Sequence, residues 1–405
     1  MYEHLHARQI GLWRNAIYVI FTLCGFATAS WISRTPAIRD TLGASTGQMG
    51  WIIFGLSVGS ILGLLGAGHF IASKGGRFVM MNGMLIAAGG LAIIALGSSF
   101  FTFAPVVFVG LAIFGFGFGI CDVAMNVEGT MLERAMKKSL LTGFHAAFSL
   151  GTFIGAVVGW IATKSHVSVI MHLGIVLILL VVLIVYLSRF VPKGTGQESK
   201  TDKNAPTLTT KERLAIWKEP RTLLLGIIIL GMAFAEGSAN DWLPLIMVDG
   251  YDTSASTGSF VYGIFVAAMT IVRATGGMLL DKFGRVAVLR ASAVSAIAGL
   301  LIVILGHNYI IASIGVVLWG FGAAFGFPVA LSAAGDNPHG VAARVGAVAT
   351  AGYLAFLVGP PLLGMIGDSI GLRMALIVVL VGIVFAGLTS HAARPLGEKG
   401  QTATK

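Results

Sequence analysis

Apolar residues in this chain come in long unbroken stretches rather than in short runs. Bounded by polar, Gly or Pro residues, they lie near 15–33, 48–70, 78–98, 103–127, 141–163, 168–188, 222–246, 257–280, 286–306, 310–334, 345–367 and 374–391. Each approaches the ~20 residues that a helix needs to cross the hydrocarbon core of a bilayer. The pattern predicts an all-α polytopic membrane protein with twelve transmembrane helices. One long polar segment interrupts it. Residues 189–221 carry Lys200, Asp202, Lys203, Asn204, Pro206, Lys211 and Glu212, and read as a linker with helical character near Leu214, Ile216 and Trp217. The expected division is a six-helix bundle over 1–188, the linker, and a second six-helix bundle over 222–405.

Composition agrees. Of 405 residues, 56% are hydrophobic and 11% charged, against about 25% charged in a soluble domain. Disordered, collagen-like and disulfide-framework classes are excluded, since the two cysteines, Cys24 and Cys121, both lie in apolar runs. The net charge of +10 matters through its placement and does not imply a nucleic-acid partner. Of the 27 Lys and Arg, Arg273 falls inside a span, and Arg34, Arg39, Lys164 and Arg373 fall in loops on one face. All others, including Lys74, Arg77, Arg134, Lys137, Lys138, Lys282, Arg285, Arg290 and Arg344, fall on the face that holds both tails. Translocation disfavours short basic loops, so the expected orientation places both termini in the cytoplasm, with the chain in a bacterial inner membrane. Arg8 and Arg14 followed by Ala27-Thr28-Ala29 imitate a cleavable leader. Removing that span would invert the charge asymmetry, so it is read as an uncleaved first helix.

The two halves repeat one another. Gly55, Gly68, Lys74, Gly76 and Arg77 recur 208 residues later as Gly263, Gly276, Lys282, Gly284 and Arg285. Gly110, Gly115 and Gly117 recur 205 residues later as Gly315, Gly320 and Gly322. Six spans per copy give both copies the same orientation, which predicts parallel repeats about an axis along the membrane normal.

With these residues in place, the chain resembles the major facilitator superfamily along nearly its whole length. The run Gly277-x3-Asp281-Lys282-x-Gly284-Arg285 matches that superfamily's cytoplasmic loop signature. The first-half copy has His69 and Ser73 where Gly and Asp stand in the signature. The fourth span ends Gly115-Phe116-Gly117-Phe118-Gly119-Ile120-Cys121-Asp122-x3-Asn126, which is similar to the fucose-permease branch and related bacterial permeases. The resemblance implies a coupling-proton role for Asp122 and a gating role for Gly277, Asp281, Lys282, Gly284 and Arg285. The first span lacks the carboxylate that is part of that branch's pattern.

An ionised side chain at the bilayer centre costs about 2.5–3.5 kcal/mol on insertion scales, so each intramembrane charge calls for a role. The candidates are Asp122, His145, Glu236, Asp241 and Arg273. Asp122 and Asn126, and likewise Glu236 and Asn240, are four residues apart and share a helix face. Each pair offers two contacts to a hydroxyl or amine. Trp242 is expected either to stack on a ligand or to anchor its helix at the interface. Arg273 stays charged and requires a counter-ion. Glu236 is its first expected partner and Asp122 the second, and the unpaired acid is the one left to titrate. His145 is expected either to relay protons or to pack as a hydrogen-bonded histidine. Gly151-x3-Gly155-x3-Gly159 predicts close helix approach, and Gly359-Pro360-Pro361 predicts a distorted helix and a gate.

No Walker motif, zinc-ligand spacing or catalytic triad is present in the sequence, so neither an enzyme nor a cofactor is expected. The leading expectation is a monomeric secondary active transporter that moves a small polar solute, such as a sugar or polyol, by alternating access with proton symport. The alternatives are a proton-driven efflux antiporter, for which the 25 Phe and 15 Met suit an adaptable apolar cavity, and a non-transporting sensor or scaffold.

Overall fold

A computed structural model gives the architecture and describes residues 6–136, 140–197, 215–336 and 341–396. All regular structure there is helical: α1 (Ala7–Ile32), α2 (Thr35–Leu42), α3 (Thr46–Lys74), α4 (Gly76–Ser99), α5 (Ala104–Met136), α6 (Leu141–Lys164) and α7 (Val169–Ser188), followed by α8 (Pro220–Tyr251), α9 (Ala255–Ala274), α10 (Gly276–Leu305), α11 (Tyr309–Ala323), α12 (Gly326–Ala334), α13 (Val341–Ile370) and α14 (Leu372–Thr389), with a closing 3-10 turn at Ser390–Ala393. Twelve helical stretches among the described residues are long and apolar enough to cross a membrane. Lipid offers no hydrogen bonds to the backbone, so each span satisfies its own.

Local signals set the ends. Ser45 and Gln48 form a reciprocal capping box that starts α3. Ser168 caps α7, and Asn308 accepts from the amides of Ile310 and Ile311 to start α11. Pro220 opens α8, where its missing N–H leaves no bond unmade.

Two compact units emerge: Met1–Lys203 with Ser254–Gly263, and Asn204–Thr253 with Ile264–Lys405. Inside the first, small residues let backbones meet. A Cβ added to Gly151 would strike the Thr22 carbonyl, one on Gly155 would stand 2.6 Å from the Phe26 carbonyl, and one on Gly159 would strike Ser33 Oγ. The glycine stripe of α6 therefore packs directly on α1. Gly55, Gly59 and Gly63 on α3 similarly abut the carbonyls of Phe108, Ala112 and Phe116 on α5.

Several expected boundaries shift. The fourth span runs on to Met136 instead of stopping at 127. The tenth is broken between α11 and α12 at Ala324 and Phe325. The loop expected between spans eight and nine is itself helical, and the chain turns at Gly284, whose φ of 76° and ψ of 162° belong to a region only glycine enters without strain. Gly75 has the same geometry, at φ 84° and ψ 155°, so the conformational counterpart of Gly284 is Gly75 and not Gly76, its partner at the 208-residue repeat spacing. At Pro360 and Pro361 the helix is not interrupted: α13 continues through both. Two missing N–H groups there deprive only the carbonyls one turn earlier.

The first part of the linker is anchored. The Gly76 amide donates to the Thr195 carbonyl at 2.7 Å, Arg77 Nη1 to the Val191 carbonyl at 3.2 Å, and Gln197 Nε2 to the Ser73 carbonyl at 3.3 Å. Residues 215–216 are helical, as expected near Ile216. Lys137, Lys138, Lys200, Asp202, Lys203, Asn204, Pro206, Lys211, Glu212 and Leu214 lie outside the described residues.

Candidate functional site

The first unit supplies Asp122 from α5. It stands one turn before Asn126, whose Nδ2 donates to the Asp122 carbonyl at 2.9 Å and reaches its Oδ1 at 3.4 Å. Asn126 in turn accepts, through its own carbonyl, from Thr130 Oγ1 at 3.0 Å. No cation pairs with Asp122 among the described residues. Both Asp122 and Asn126 are partly exposed. His145, near the start of α6, is exposed and meets the Phe21 ring edge-on at 5.5 Å. Phe21 stacks on Phe144, which also touches Tyr18 edge-on at 4.5 Å. An aromatic wall thus joins α1 to α6 beside the histidine.

The second unit supplies Glu236 and Asp241 from α8 and Arg273 from α9. Arg273 Nη2 donates to Glu236 Oε2 at 2.8 Å, and its Nε donates to the Ala324 carbonyl at 3.1 Å. Ala324 closes α11 at the break of the tenth span, so the guanidinium sits at the negative end of a helix dipole as well as against a carboxylate. Arg273 itself lies in the last turn of α9 and not within a longer span, because α9 ends at Ala274. The side chains of the pair are 23% and 16% exposed, so the charges are neither sealed nor solvated. Asp241 is partly exposed and has no hydrogen-bond or ion-pair partner among the described residues. Asn240, beside it, is also partly exposed.

Trp242 departs from expectation. It is 0% exposed, with its Nε1 buried and unpaired. The ring fills the core of its unit and neither anchors an interface nor offers a face to a ligand. Trp319 was not expected at all, yet it ties α11 to α8 by donating to the Ala235 carbonyl at 3.1 Å, with its ring edge on Phe265.

The signature residues divide. Gly277 and Asp281 are exposed, and Asp281 has no ion-pair partner among the described residues. The Lys282 ammonium lies over the Phe283 ring at 5.3 Å. Arg285 is committed: its Nη1 reaches both oxygens of Asp336 at 2.8 and 2.9 Å, and its Nη2 reaches Ser332 Oγ at 3.0 Å. Arg221, at the start of α8, takes the same carboxylate at 2.8 Å, so one acid at the end of α12 holds two arginines from other helices. Beside it Glu219, just outside the membrane span, receives Arg344 Nη2 at 2.6 Å and Nε at 2.7 Å, and Thr222 Oγ1 at 3.0 Å. The hydrogen bonds from Arg344 hold the Glu219 carboxyl below the usual glutamate range.

Sequence reasoning missed Glu128. Both its carboxylate oxygens are buried, the residue is 0% exposed, and it packs against Gly76 at the start of α4. The signal was available: Gly117, Cys121, Ala124 and Glu128 follow helical spacing on one buried face. Ending the fourth span at 127 hid it. Arg34 and Arg373 were read only as loop charges. Arg34 in fact ties to the Thr163 hydroxyl of α6 and the Val167 carbonyl of the loop that follows, and Arg373 caps helix ends through the carbonyls of Gly250, Ile304 and Gly306 with its guanidinium over the Tyr251 ring at 4.3 Å.

Comparison with known proteins settles the family. Residues 16–360 match the model of the Major Facilitator Superfamily. The chain belongs to that superfamily. As a member it is a multi-pass membrane transporter and not an enzyme. An uncharacterized MFS-type transporter of Yersinia pestis is 27% identical over 92% of this chain and 94% of its own length. In fold the chain is similar to a mutant form of the nucleoside transporter NupG, with a TM-score of 0.76 at 15% identity over 94% of this chain and 99% of that one. It is also similar to the fucose:proton symporter FucP of E. coli, with a TM-score of 0.66 at 15% identity over 95% and 98%. The superfamily membership accounts for the two six-span repeats read from the glycine pattern.

Proposed function

We propose that this transporter is a proton-coupled symporter that carries a small, neutral, hydroxylated solute, such as a sugar, polyol or nucleoside, across the bacterial inner membrane as a monomer with both termini cytoplasmic. The observation that carries the reading is the division of labour between the two acids. Arg273 holds Glu236 as an ion pair, whereas Asp122 meets only the amide of Asn126 on its own helix. An acid with no fixed counter-charge is free to exchange a proton as its surroundings change, whereas a paired one is committed to its cation. Among the described residues Asp122 and Asp241 both lack a counter-charge, and Asp122, which stands where the fucose-permease resemblance places the coupling acid, is assigned as the coupling group, with the exposed His145 as its relay.

The solute contacts are assigned to Asn126 in the first unit and to Asn240, Asp241 and the Glu236–Arg273 pair in the second, amide, carboxylate and guanidinium groups suited to hydroxyls. The broken tenth span beside Arg273 supports this, since discontinuous helices present free backbone ends at transporter sites. The residues Gly277 to Arg285 are assigned to gating between access states. A solute that is both a sugar derivative and uncharged also agrees with the named cargoes of the two solved relatives in fold.

The test is flux in proteoliposomes that contain a pH dye. Candidate sugars, polyols and nucleosides are first screened for thermal stabilisation of the purified protein. An inward proton gradient is expected to drive accumulation of the stabilising solute, with acidification of the lumen. Transport indifferent to that gradient would refute proton coupling.

A further inference from the structure

Three sulfur atoms converge in the first unit where α1 passes α5. Cys24 Sγ lies 3.9 Å from Cys121 Sγ and 3.7 Å from Met125 Sδ. Both cysteines are free thiols at 0% exposure, and Met125 is 1% exposed. Residues 121 and 125 are one helical turn apart, so α5 presents both sulfurs on the face turned to Cys24. The transport reading uses none of the three.

We propose that Cys24, Cys121 and Met125 form a binding site for a soft monovalent cation of the copper(I) or silver(I) type. The donors suit it, because thiolate and thioether sulfur select soft ions over harder ones. The spacing suits it too. An ion bridging two sulfurs 3.7–3.9 Å apart at an angle of 120° stands about 2.2 Å from each, close to the ~2.3 Å of a metal–thiolate bond. Charge is the third argument. A net charge at membrane depth is costly, and one thiolate cancels one monovalent cation while the second thiol and the thioether remain neutral donors.

Binding is a ligand exchange without electron transfer. The S–H bond of one cysteine breaks, its electron pair stays on sulfur and forms the bond to the ion, and one proton leaves to water. Among the described residues no group of three or more His, Cys, Asp or Glu side chains offers a competing cluster.

The probe is silver(I), titrated into the purified full-length protein in detergent and chloride-free buffer. After desalting, silver is counted by elemental mass spectrometry and released protons by an indicator dye. One retained silver and one released proton per chain are expected. Cys24→Ala and Cys121→Ala are each expected to lower retention at least tenfold. Met125→Leu, which conserves volume, is expected to weaken affinity about tenfold with unchanged elution and helicity, and it carries the test if either alanine variant fails to fold. The proposal is overturned if the wild-type chain retains no silver, if the Cys24→Ala/Cys121→Ala variant retains as much, or if Met125→Leu binds as tightly.

Discussion

Arg273 donates a hydrogen bond to Glu236 at 2.8 Å and a second one to the Ala324 carbonyl at 3.1 Å. The carboxylate and the end of a broken helix thus share one cation, and removing either charged member leaves the other partly buried and unbalanced. Glu236→Gln and Arg273→Leu are each expected to lower stability by about 2–3 kcal/mol. That is somewhat below the ~3–5 kcal/mol for uncovering a fully buried ion, because both side chains keep some exposure. Thermal unfolding of the purified variants measures it. The double variant is expected to recover part of the loss, and strict additivity of the two single effects would show that the pair is not coupled.

Asp122 carries the opposite prediction. Asp122→Asn keeps the side-chain shape and the contact with Asn126 but cannot release a proton. Uphill accumulation is expected to fall to the equilibrium ratio while solute counterflow persists at near wild-type rate. If counterflow disappears with accumulation in a stably folded variant, the residue binds solute or supports the fold and does not couple protons.

Glu219 gives a dependence on pH. Its carboxyl titrates below the ordinary range because Arg344 donates two hydrogen bonds to it. A carboxyl depressed in the folded state adds stability that is complete above its unfolded value of about 4.3 and disappears as pH falls through the lower folded value. The thermal midpoint of the wild-type protein is therefore expected to drop faster than that of Glu219→Gln as buffers are taken below about pH 4.5. Parallel curves would show that the Arg344 contact contributes no linkage.

Gly284 and Gly277 separate backbone strain from crowding. An added Cβ meets no atom within 4 Å at either position, yet only Gly284 has a positive φ, of 76°. Gly284→Ala is expected to destabilise by about 1–3 kcal/mol, whereas Gly277→Ala, at an ordinary helical position, is neutral or gains up to about 1 kcal/mol. Equal effects would mean that the turn at residue 284 does not depend on glycine.

Much of the architecture was legible because lipid imposes a coarse rule: twenty apolar residues mark a span whatever surrounds them. The Gly151 stripe was readable for a related reason, since small residues four apart announce a close partner. The Arg273–Glu236 pair followed from the need to balance a charge that cannot be shed. What eluded the sequence depends on where a helix stops or bends. Hydropathy ends a span at its first cluster of polar residues, so Glu128 was assigned to a loop although α5 runs on to Met136. The helical segment before Gly284 reads as a loop because the exposed Asp281 and Lys282 end the apolar run there. Trp242 illustrates another limit. An aromatic residue near a span end has the same sequence signature whether it turns outward or into the core, and packing alone decides.

Along α3 and α6, neighbouring carbonyls stand where side chains would otherwise begin. A seam of that kind has no layer of interdigitated groups able to slip one notch and lock again. The α1–α6 and α3–α5 pairs are consequently stiff struts, and any rearrangement that accompanies a transport cycle is expected to carry those pairs whole and confine bending to the joints between them.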